Sequence, residues 1–242
     1  MSATLRTFNL TALADRLFAE KRLLPLVGRI RRARDLHSLG ADLTMALESL
    51  NALDNFLGSP SNDMRQVITE AALLSNAVIL YARGTKTTSR ERKNFDLISK
   101  FTDEEKTVHA ELCDLRDSAI AHFGSGGSYR GEWQVELVVL QFKDGEGKPG
   151  VATRRKAIDK LLLQRARKQI ETAHAFLRSE ALAKLGEVTV ELNRAAEHDP
   201  EFYKEFEQHP LNLPIFLASP NAAQAAFDAF EVGYAKGTTR HG

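Results

Sequence analysis

Apolar residues recur at helical spacing along most of the chain. Leu13, Leu17 and Phe18 mark a first segment over Thr11–Phe18, which Pro25 breaks. From about Leu26 to Leu57 the apolar positions are Val27, Ile30, Leu36, Leu39, Leu43, Leu47, Leu50, Leu53 and Leu57, and from Leu36 onward their spacing is 3, 4, 4, 3, 3 and 4. That spacing predicts one buried stripe on an amphipathic helix. Gly58-Ser59-Pro60 stops it, and Ser61, Asn62 or Asp63 can cap the next. A third helix is expected over Met64–Arg83, apolar around much of its circumference between Ala71 and Leu80 and therefore central. Gly84–Arg92 reads as a polar loop, and a short helix is expected over Lys93–Lys100. Thr102 with Glu105 three residues on has the capping-box spacing. It starts a fourth helix that runs from Asp103 to about His122 and ends at Phe123-Gly124.

The period changes at Trp133–Phe142, where Trp133, Val135, Leu137 and Val139 alternate with Gln134 and Glu136. This is a strand pattern. Asp144–Gly150 reads as a turn, with Val151–Arg155 returning as a second strand. Ala157–Ala196 is a long helical pattern through Ile158, Leu161, Leu162, Ile170, Ala173, Leu177, Leu185, Val188 and Leu192, closed by Asp199-Pro200. A short helix over Glu201–Gln208, an irregular stretch around Pro210 and Pro214, and a last helix opening at Ser219-Pro220 with Phe227 and Phe230 on its apolar side complete the chain. The fold class expected is mainly α, a helical bundle with a small two-stranded β-hairpin insertion. The domain reading is a single bundle over 1–200, with the hairpin at about 133–155, and a C-terminal helical appendage over 201–242.

Composition narrows the class. The 242 residues are 43% hydrophobic and 27% charged, values of a globular chain rather than a disordered one. The single cysteine, Cys113, excludes an internal disulfide framework and a Cys-based zinc site, and suits a reducing compartment. No apolar run approaches the ~18 residues of a membrane span. Arg6, Asp15 and Arg16 interrupt any signal-like apolar stretch at the N-terminus. A soluble cytoplasmic protein without a membrane partner is expected. Gly124–Gly131 is glycine-rich, but no Gly-Lys-Ser/Thr follows, so it reads as a linker rather than a phosphate loop. The seven histidines include no pair three to five residues apart, and no His-Glu-x-x-His or Gly-x-Ser-x-Gly occurs. No metal and no cofactor is therefore expected.

Charge is segregated although its sum is near zero. Lys21–Arg34 holds six basic residues and no acid. Arg154–Lys168 carries a local +6, Arg83–Lys100 a local +4, and Glu187–Glu207 a local −5. Arginine-rich clusters suit phosphate contacts, because the guanidinium fork can bind two phosphate oxygens. Arg31, Arg32, Arg34, Arg154 and Arg155 are the candidate RNA-binding residues. Solvated helix faces would produce the same clusters.

The segment LRDSAIAHFG, Leu115–Gly124, brings together Arg116, Asp117 and, six residues after the arginine, His122. Arginine can hold a phosphate, and histidine can move a proton at neutral pH. Together they supply the minimum for RNA cleavage without a metal: proton transfer at the 2′-hydroxyl or the leaving oxygen, and charge stabilisation on the phosphorane. On an ideal α-helix, six residues rise about 9 Å and end roughly 120° off the starting face. Either the helix end unwinds or a second copy completes the site. His109 shares nearly the same face as Arg116, and Cys113 sits among apolar neighbours as a core residue. An ordinary helix-end ion pair with Glu111 or Asp114 and a capping His122 would leave the same sequence trace.

Arg116, the polar Asp117 and His122 at the end of an apolar-flanked helix resemble the R-x(4–6)-H motif of HEPN domains. Ile79–Gly84, ILYARG, is also similar to the helix end preceding the motif in some members. The resemblance covers about Met64–His122, with Ala157–Ala196 completing the bundle. It implies an α-helical, metal-independent endoribonuclease of bacterial defence or toxin–antitoxin systems. Arg116, His122 and Asp117 are then the catalytic residues, RNA the substrate, a homodimer the working form, and an antitoxin or defence-system protein a partner. The hairpin and the C-terminal appendage fall outside the family pattern. Two other classes fit the same residues: a non-catalytic RNA- or nucleotide-binding module of that fold, and a helical protein-interaction domain.

Overall fold

A computed structural model describes residues 6–57, 64–86, 88–120, 134–155 and 160–218, with 221, 224 and 225; for residues 64, 119, 134, 135, 154 and 155 only the backbone is described. The fold is mainly α with one two-stranded antiparallel sheet. Helices α1 (Leu10–Ala19), α2 (Leu24–Leu57), α3 (Met64–Thr85) and α4 (Asp103–Asp114) precede strands β1 (Gln134–Lys143) and β2 (Glu146–Arg155). Helices α5 (Lys160–His198), α6 (Tyr203–Phe206) and α7 (Leu213–Phe216) follow. The chain divides into two compact units: the described residues of Asp35–Leu182, and those of Met1–Arg34 with Ala183–Gly242. Among the described residues no helix is long and apolar enough to cross a membrane.

The unit within Asp35–Leu182 is built on the leucine stripe of α2. Leu36, Leu39, Leu43, Leu50 and Leu53 are fully buried, against Leu74, Ala77, Val78 and Tyr81 of α3 and Leu112 of α4. From α5 the same core receives Leu162, Ala166, Ile170, Ala173 and Leu177. Each fully buried leucine contributes about 1.5–3 kcal/mol relative to exposure. Most of the α5 stripe that periodicity suggests is buried, with Leu162, Ile170, Ala173, Leu177 and Val188 in it, and two positions depart from it. Leu161 is 65% exposed and Leu185 43%, while alanines at 166 and 181 take core positions. A small residue lets a neighbouring helix approach, so alanine marks the packed face of α5 where leucine does not.

Three boundaries differ from the sequence reading. Pro25 lies inside the first turn of α2 rather than ending a helix. Proline fits there because that N–H has no intrahelical partner in any case. Asp144–Gly150 is not one long turn. Asp144 (φ 53°) and Gly145 (φ 85°) alone make the reversal, as a two-residue hairpin turn with positive φ at both positions, and β2 begins at Glu146. Pro149 is tolerated within β2, opposite Leu140, because a strand in a two-stranded sheet has an edge that needs no donor. The expected helix over Lys93–Lys100 shrinks to a single 3₁₀ turn at Ile98–Lys100. The expected last helix from Ser219 lies mostly outside the described residues.

Gly84 also departs from the sequence reading. It read as the start of a loop, yet it lies in the last turn of α3, tight against α2. A Cβ there would stand 2.9 Å from Leu43 Cδ2 and 3.2 Å from the Leu39 carbonyl oxygen. Alanine would gain up to about 1 kcal/mol in helix propensity. It would lose roughly 1–3 kcal/mol by overpacking against the fully buried Leu43. Gly84→Ala is therefore expected to lower stability by about 1 kcal/mol in urea denaturation; a stabilised variant would refute the close approach.

In the other unit, Leu13, Ala14 and Leu17 of α1 pack with Leu26, Val27 and Ile30 of α2, Val188 and Ala195 of α5, and Phe202 and Phe206. The chain around Thr7–Asn9 is tied to 209–211: Asn9 N–H donates to the His209 carbonyl (2.8 Å) and Leu211 N–H to the Thr7 carbonyl (2.9 Å). Residues after 200 thus share the core of α1.

Candidate functional site

The fourth helix begins as read. Thr102 Oγ1 accepts from Glu105 N–H and the Glu105 carboxylate accepts from Thr102 N–H, closing the capping box. Its end is different. From Leu115 to Ile120 the backbone winds as a π-helix. Such turns are rare and cluster at functional sites. The 100° step of an α-helix does not hold through this turn, so the α-helical angle between positions 116 and 122 does not apply. His122 lies outside the described residues.

Arg116 and Asp117 both sit on this turn. The Arg116 guanidinium donates to Asp117 Oδ1 at 2.6 Å, and Lys86 Nζ donates to Asp117 Oδ2 at 2.6 Å. One carboxylate thus joins two cations, one from its own turn and one from the residue just past α3. The side chains of Lys86, Arg116 and Asp117 are 52%, 38% and 38% exposed, so the cluster faces solvent. Hydrogen bonds first from Lys86 and then from Arg116 hold the Asp117 carboxyl below its usual range. The bond from Asp117 raises the Lys86 ammonium above its own. All three groups are charged at neutral pH.

Lys86 is placed by the end of α3. Its N–H donates to the Ala82 carbonyl (2.8 Å), continuing the last turn. Asn94 Nδ2 donates to the Thr85 carbonyl (3.1 Å) and Arg92 to the Arg83 carbonyl (2.9 Å), satisfying carbonyls a helix end leaves open. A cation just past a helix C-terminus is also favoured by the dipole. The sequence reading counted Lys86 only as one member of a basic run; its position at the helix end was the signal that set it apart.

Among the groups electrostatically coupled to Lys86 is a buried polar group centred on His109, which is 7% exposed. His109 Nδ1 lies 2.8 Å from the Tyr81 hydroxyl, which accepts from Gln169 Nε2 at 3.1 Å. Which of the Tyr81 hydroxyl and His109 Nδ1 donates is set by the imidazole tautomer, and the second ring nitrogen is Nε2. That nitrogen is 3.7 Å from Cys113 Sγ, one helical turn along α4. Burial, and then the Lys86 charge, push the His109 imidazole below its ordinary value; burial pushes the Cys113 thiol up. Both are neutral at pH 7, so Cys113 is a core thiol and His109 a partnered core histidine.

The unfolded chain takes up a proton on His109 near the usual histidine value of about 6.5, and the folded chain resists it. Stability from this group is complete above that value and falls as pH drops through it. His109→Gln is expected to flatten the decline of unfolding free energy between pH 7 and 5, by no more than about 1.4 kcal/mol per pH unit. An unchanged slope in urea titrations at several pH values would show that His109 protonates freely in the fold.

The basic clusters are largely paired within their own units. Arg22 reaches Glu205 (2.7 Å) and Glu20 (2.9 Å); Arg29 reaches Glu187 and Glu191. The basic run 21–34 and the acidic run 187–207 are thus partly each other's counterions. Arg31 donates to Asp15 (2.9 Å) and stacks over the Phe18 ring (4.3 Å to its centroid). Arg32 is half-buried, Arg34 is exposed, and both are engaged in interactions. Arg165 pairs with Glu111 and Arg167 with Asp54, while Arg83 and Arg92 converge on the buried Asp42. Arg154 and Arg155 hold backbone positions in β2, opposite Val135 and Gln134; their side chains lie outside the described residues.

A cleft of about 450 Å³ opens in the unit that holds α1, lined by Arg22, Leu26, Arg194, His198 and Phe202 among others. Its polar groups are engaged: Arg22 as above, Arg194 by Glu191 (2.9 Å), and His198 Nδ1 by the Arg194 carbonyl (2.8 Å). Among the described residues, no group of three or more His, Cys, Asp or Glu could hold a metal ion. Compared with protein-family models, curated proteins and solved structures, the chain matches none.

Proposed function

We propose that the chain is a HEPN-like, metal-independent endoribonuclease whose centre is formed at the π-helical turn, with Arg116 on the scissile phosphate, Asp117 orienting Arg116 before substrate binds, and His122 transferring the proton. The observation that carries the reading is the solvent-facing pair Arg116 and Asp117 on a π turn, beside the Lys86 ammonium. Cations in a solvated cluster are available to an anionic substrate in a way that Arg92, 18% exposed and turned onto the buried Asp42, is not. The motif resemblance supplies the role of His122, the homodimeric working form, the cytoplasmic setting and a defence or antitoxin partner. A second reading keeps RNA binding without cleavage. The pairing of Arg116 with Asp117 favours it, since a guanidinium shared with a carboxylate stabilises a developing phosphorane less, while the excess positive charge of Lys86 and Arg116 still attracts RNA.

Labelled total RNA incubated with the purified protein in EDTA distinguishes them. Cleavage is expected to persist in the chelator and to leave 2′,3′-cyclic phosphate ends. RNA that is bound and left intact would establish the second reading.

A further inference from the structure

We infer that the Asp117 carboxylate is an internal stand-in for a phosphate group: Lys86 and Arg116 together form an oxyanion subsite, and Asp117 occupies it until a phosphodiester displaces it. The inference deepens the ribonuclease reading and rests on it for the identity of the natural phosphate as part of RNA.

The geometry is that of a bridged anion. Each oxygen of the carboxylate receives one cationic donor at 2.6 Å, Lys86 Nζ on Oδ2 and Arg116 on Oδ1. The two non-bridging oxygens of a phosphodiester have nearly the same bite and the same single negative charge. They can take the two donors without either cation moving far. The donors come from two different backbones that are both held. Lys86 follows the last hydrogen-bonded turn of α3, and Arg116 is anchored by Leu115, a fully buried core residue directly before it. The fold thus brings the two cations together from separate elements, and Asp117, on the same turn as Arg116, lies between them.

The exchange is energetically shallow. All three side chains are more than a third exposed, and ion pairs in that setting contribute little to stability. Releasing Asp117 into water therefore costs little. A phosphate that brings its own charge restores both pairs. Among the described residues, the charged groups that shift Asp117 are Lys86 and Arg116, and the neighbouring Cys113 and His109 are neutral. With Asp117 in place the three groups sum to one positive charge; with asparagine they sum to two. Asp117 then lowers affinity for phosphate at rest and gates access to the arginine.

Titration calorimetry in low-salt chloride buffer tests this with two probes, inorganic phosphate and a dinucleoside monophosphate lacking the attacking 2′-hydroxyl. Asp117→Asn is expected to bind both about ten-fold more tightly than the native chain. Adding Lys86→Ala to Asp117→Asn is expected to remove the gain. Asp117→Ser serves as the second variant if the asparagine variant does not fold. Unchanged or weaker binding by Asp117→Asn and Asp117→Ser, or a gain that survives Lys86→Ala, overturns the proposal. The readout is binding, so its failure is separable from that of the ribonuclease reading. Tighter binding by Asp117→Asn in a protein that leaves RNA intact upholds the subsite and refutes the nuclease. RNA cleavage by the native chain with no gain in Asp117→Asn does the reverse. Tighter binding of inorganic phosphate alone upholds the subsite and assigns it to free phosphate.

Discussion

Replacing Arg116 by alanine is expected to lower EDTA-resistant RNA cleavage by about 100- to 1,000-fold, the usual loss when one preorganised donor to a developing oxyanion is removed. Arg116 is 38% exposed on the π turn, and its guanidinium pairs with the neighbouring, equally exposed Asp117. The fold loses almost nothing with it, so a fall in rate with an unchanged thermal midpoint reports chemistry. Lysine at position 116 is expected to restore only part of the rate, because an ammonium cannot reproduce the two-pronged guanidinium contact with phosphate. His122→Ala is expected to lose about 100- to 10,000-fold, as for a general acid or base. Cys113→Ala is expected to cleave at the native rate: its thiol is buried and held protonated, so no thiolate contributes. Full activity in Arg116→Ala, measured by release of cyclic-phosphate ends, would remove the π turn from the mechanism.

The largest effect on stability is expected at Asp42, remote from that chemistry in kind. Its side chain is 8% exposed and accepts from Arg83 Nε at 2.9 Å and from Arg92 at 2.7 Å. Arg92, itself 18% exposed, also donates to the Arg83 carbonyl (2.9 Å) and reaches Ser38. Nearby, Lys93 N–H donates to the buried Asp35 (3.1 Å). Together these bonds pin the loop after α3 onto α2, and with it Lys86. Asp42→Ala leaves Arg92 without its carboxylate in a confined place. Hydrogen bonds to charged groups contribute about 1.5–3 kcal/mol each, and removing one partner of a buried pair costs about 3–5 kcal/mol. Arg83 is 49% exposed and recovers water, so a loss of about 3 kcal/mol is expected. That corresponds to a fall in Tm of roughly 6–12 °C. Arg92→Ala should add little to Asp42→Ala, since the two act as one unit. Strict additivity in the double variant would show that the arginine does not depend on this carboxylate.

Much of the fold was legible because local pattern and burial coincide there. The leucine stripe of α2 is fully buried from Leu36 to Leu53 apart from the half-buried Leu47, and the Thr102–Glu105 box opens α4 where the residues say it must. Such features depend on neighbours three or four residues apart, and a single chain displays those. Two positions of the α5 stripe, Leu161 and Leu185, were misread for the opposite reason. Whether Leu161 or Ala166 faces the core depends on how closely other helices approach, and hydrophobicity alone ranks them the wrong way round.

The candidate site divides along the same line. Arg116 and Asp117 stand out in the sequence as a residue pair, and nothing local marks the turn that carries them as π rather than α. Lys86 follows the end of another helix, 31 residues away from Asp117, and only packing brings it to the carboxylate. The charge clusters show the limit most clearly. Read along the chain, Lys21–Arg34 meets no acid; folded, Arg22 and Arg29 meet Glu205, Glu187 and Glu191. Sequence by itself determined a mainly helical chain with one hairpin, its α2 core stripe and the residue types from which a phosphate site can be made. Tertiary structure alone decided which cations are spent on internal carboxylates and which face water, because Coulomb interactions act through space and are screened over about 10 Å, whatever the separation along the chain.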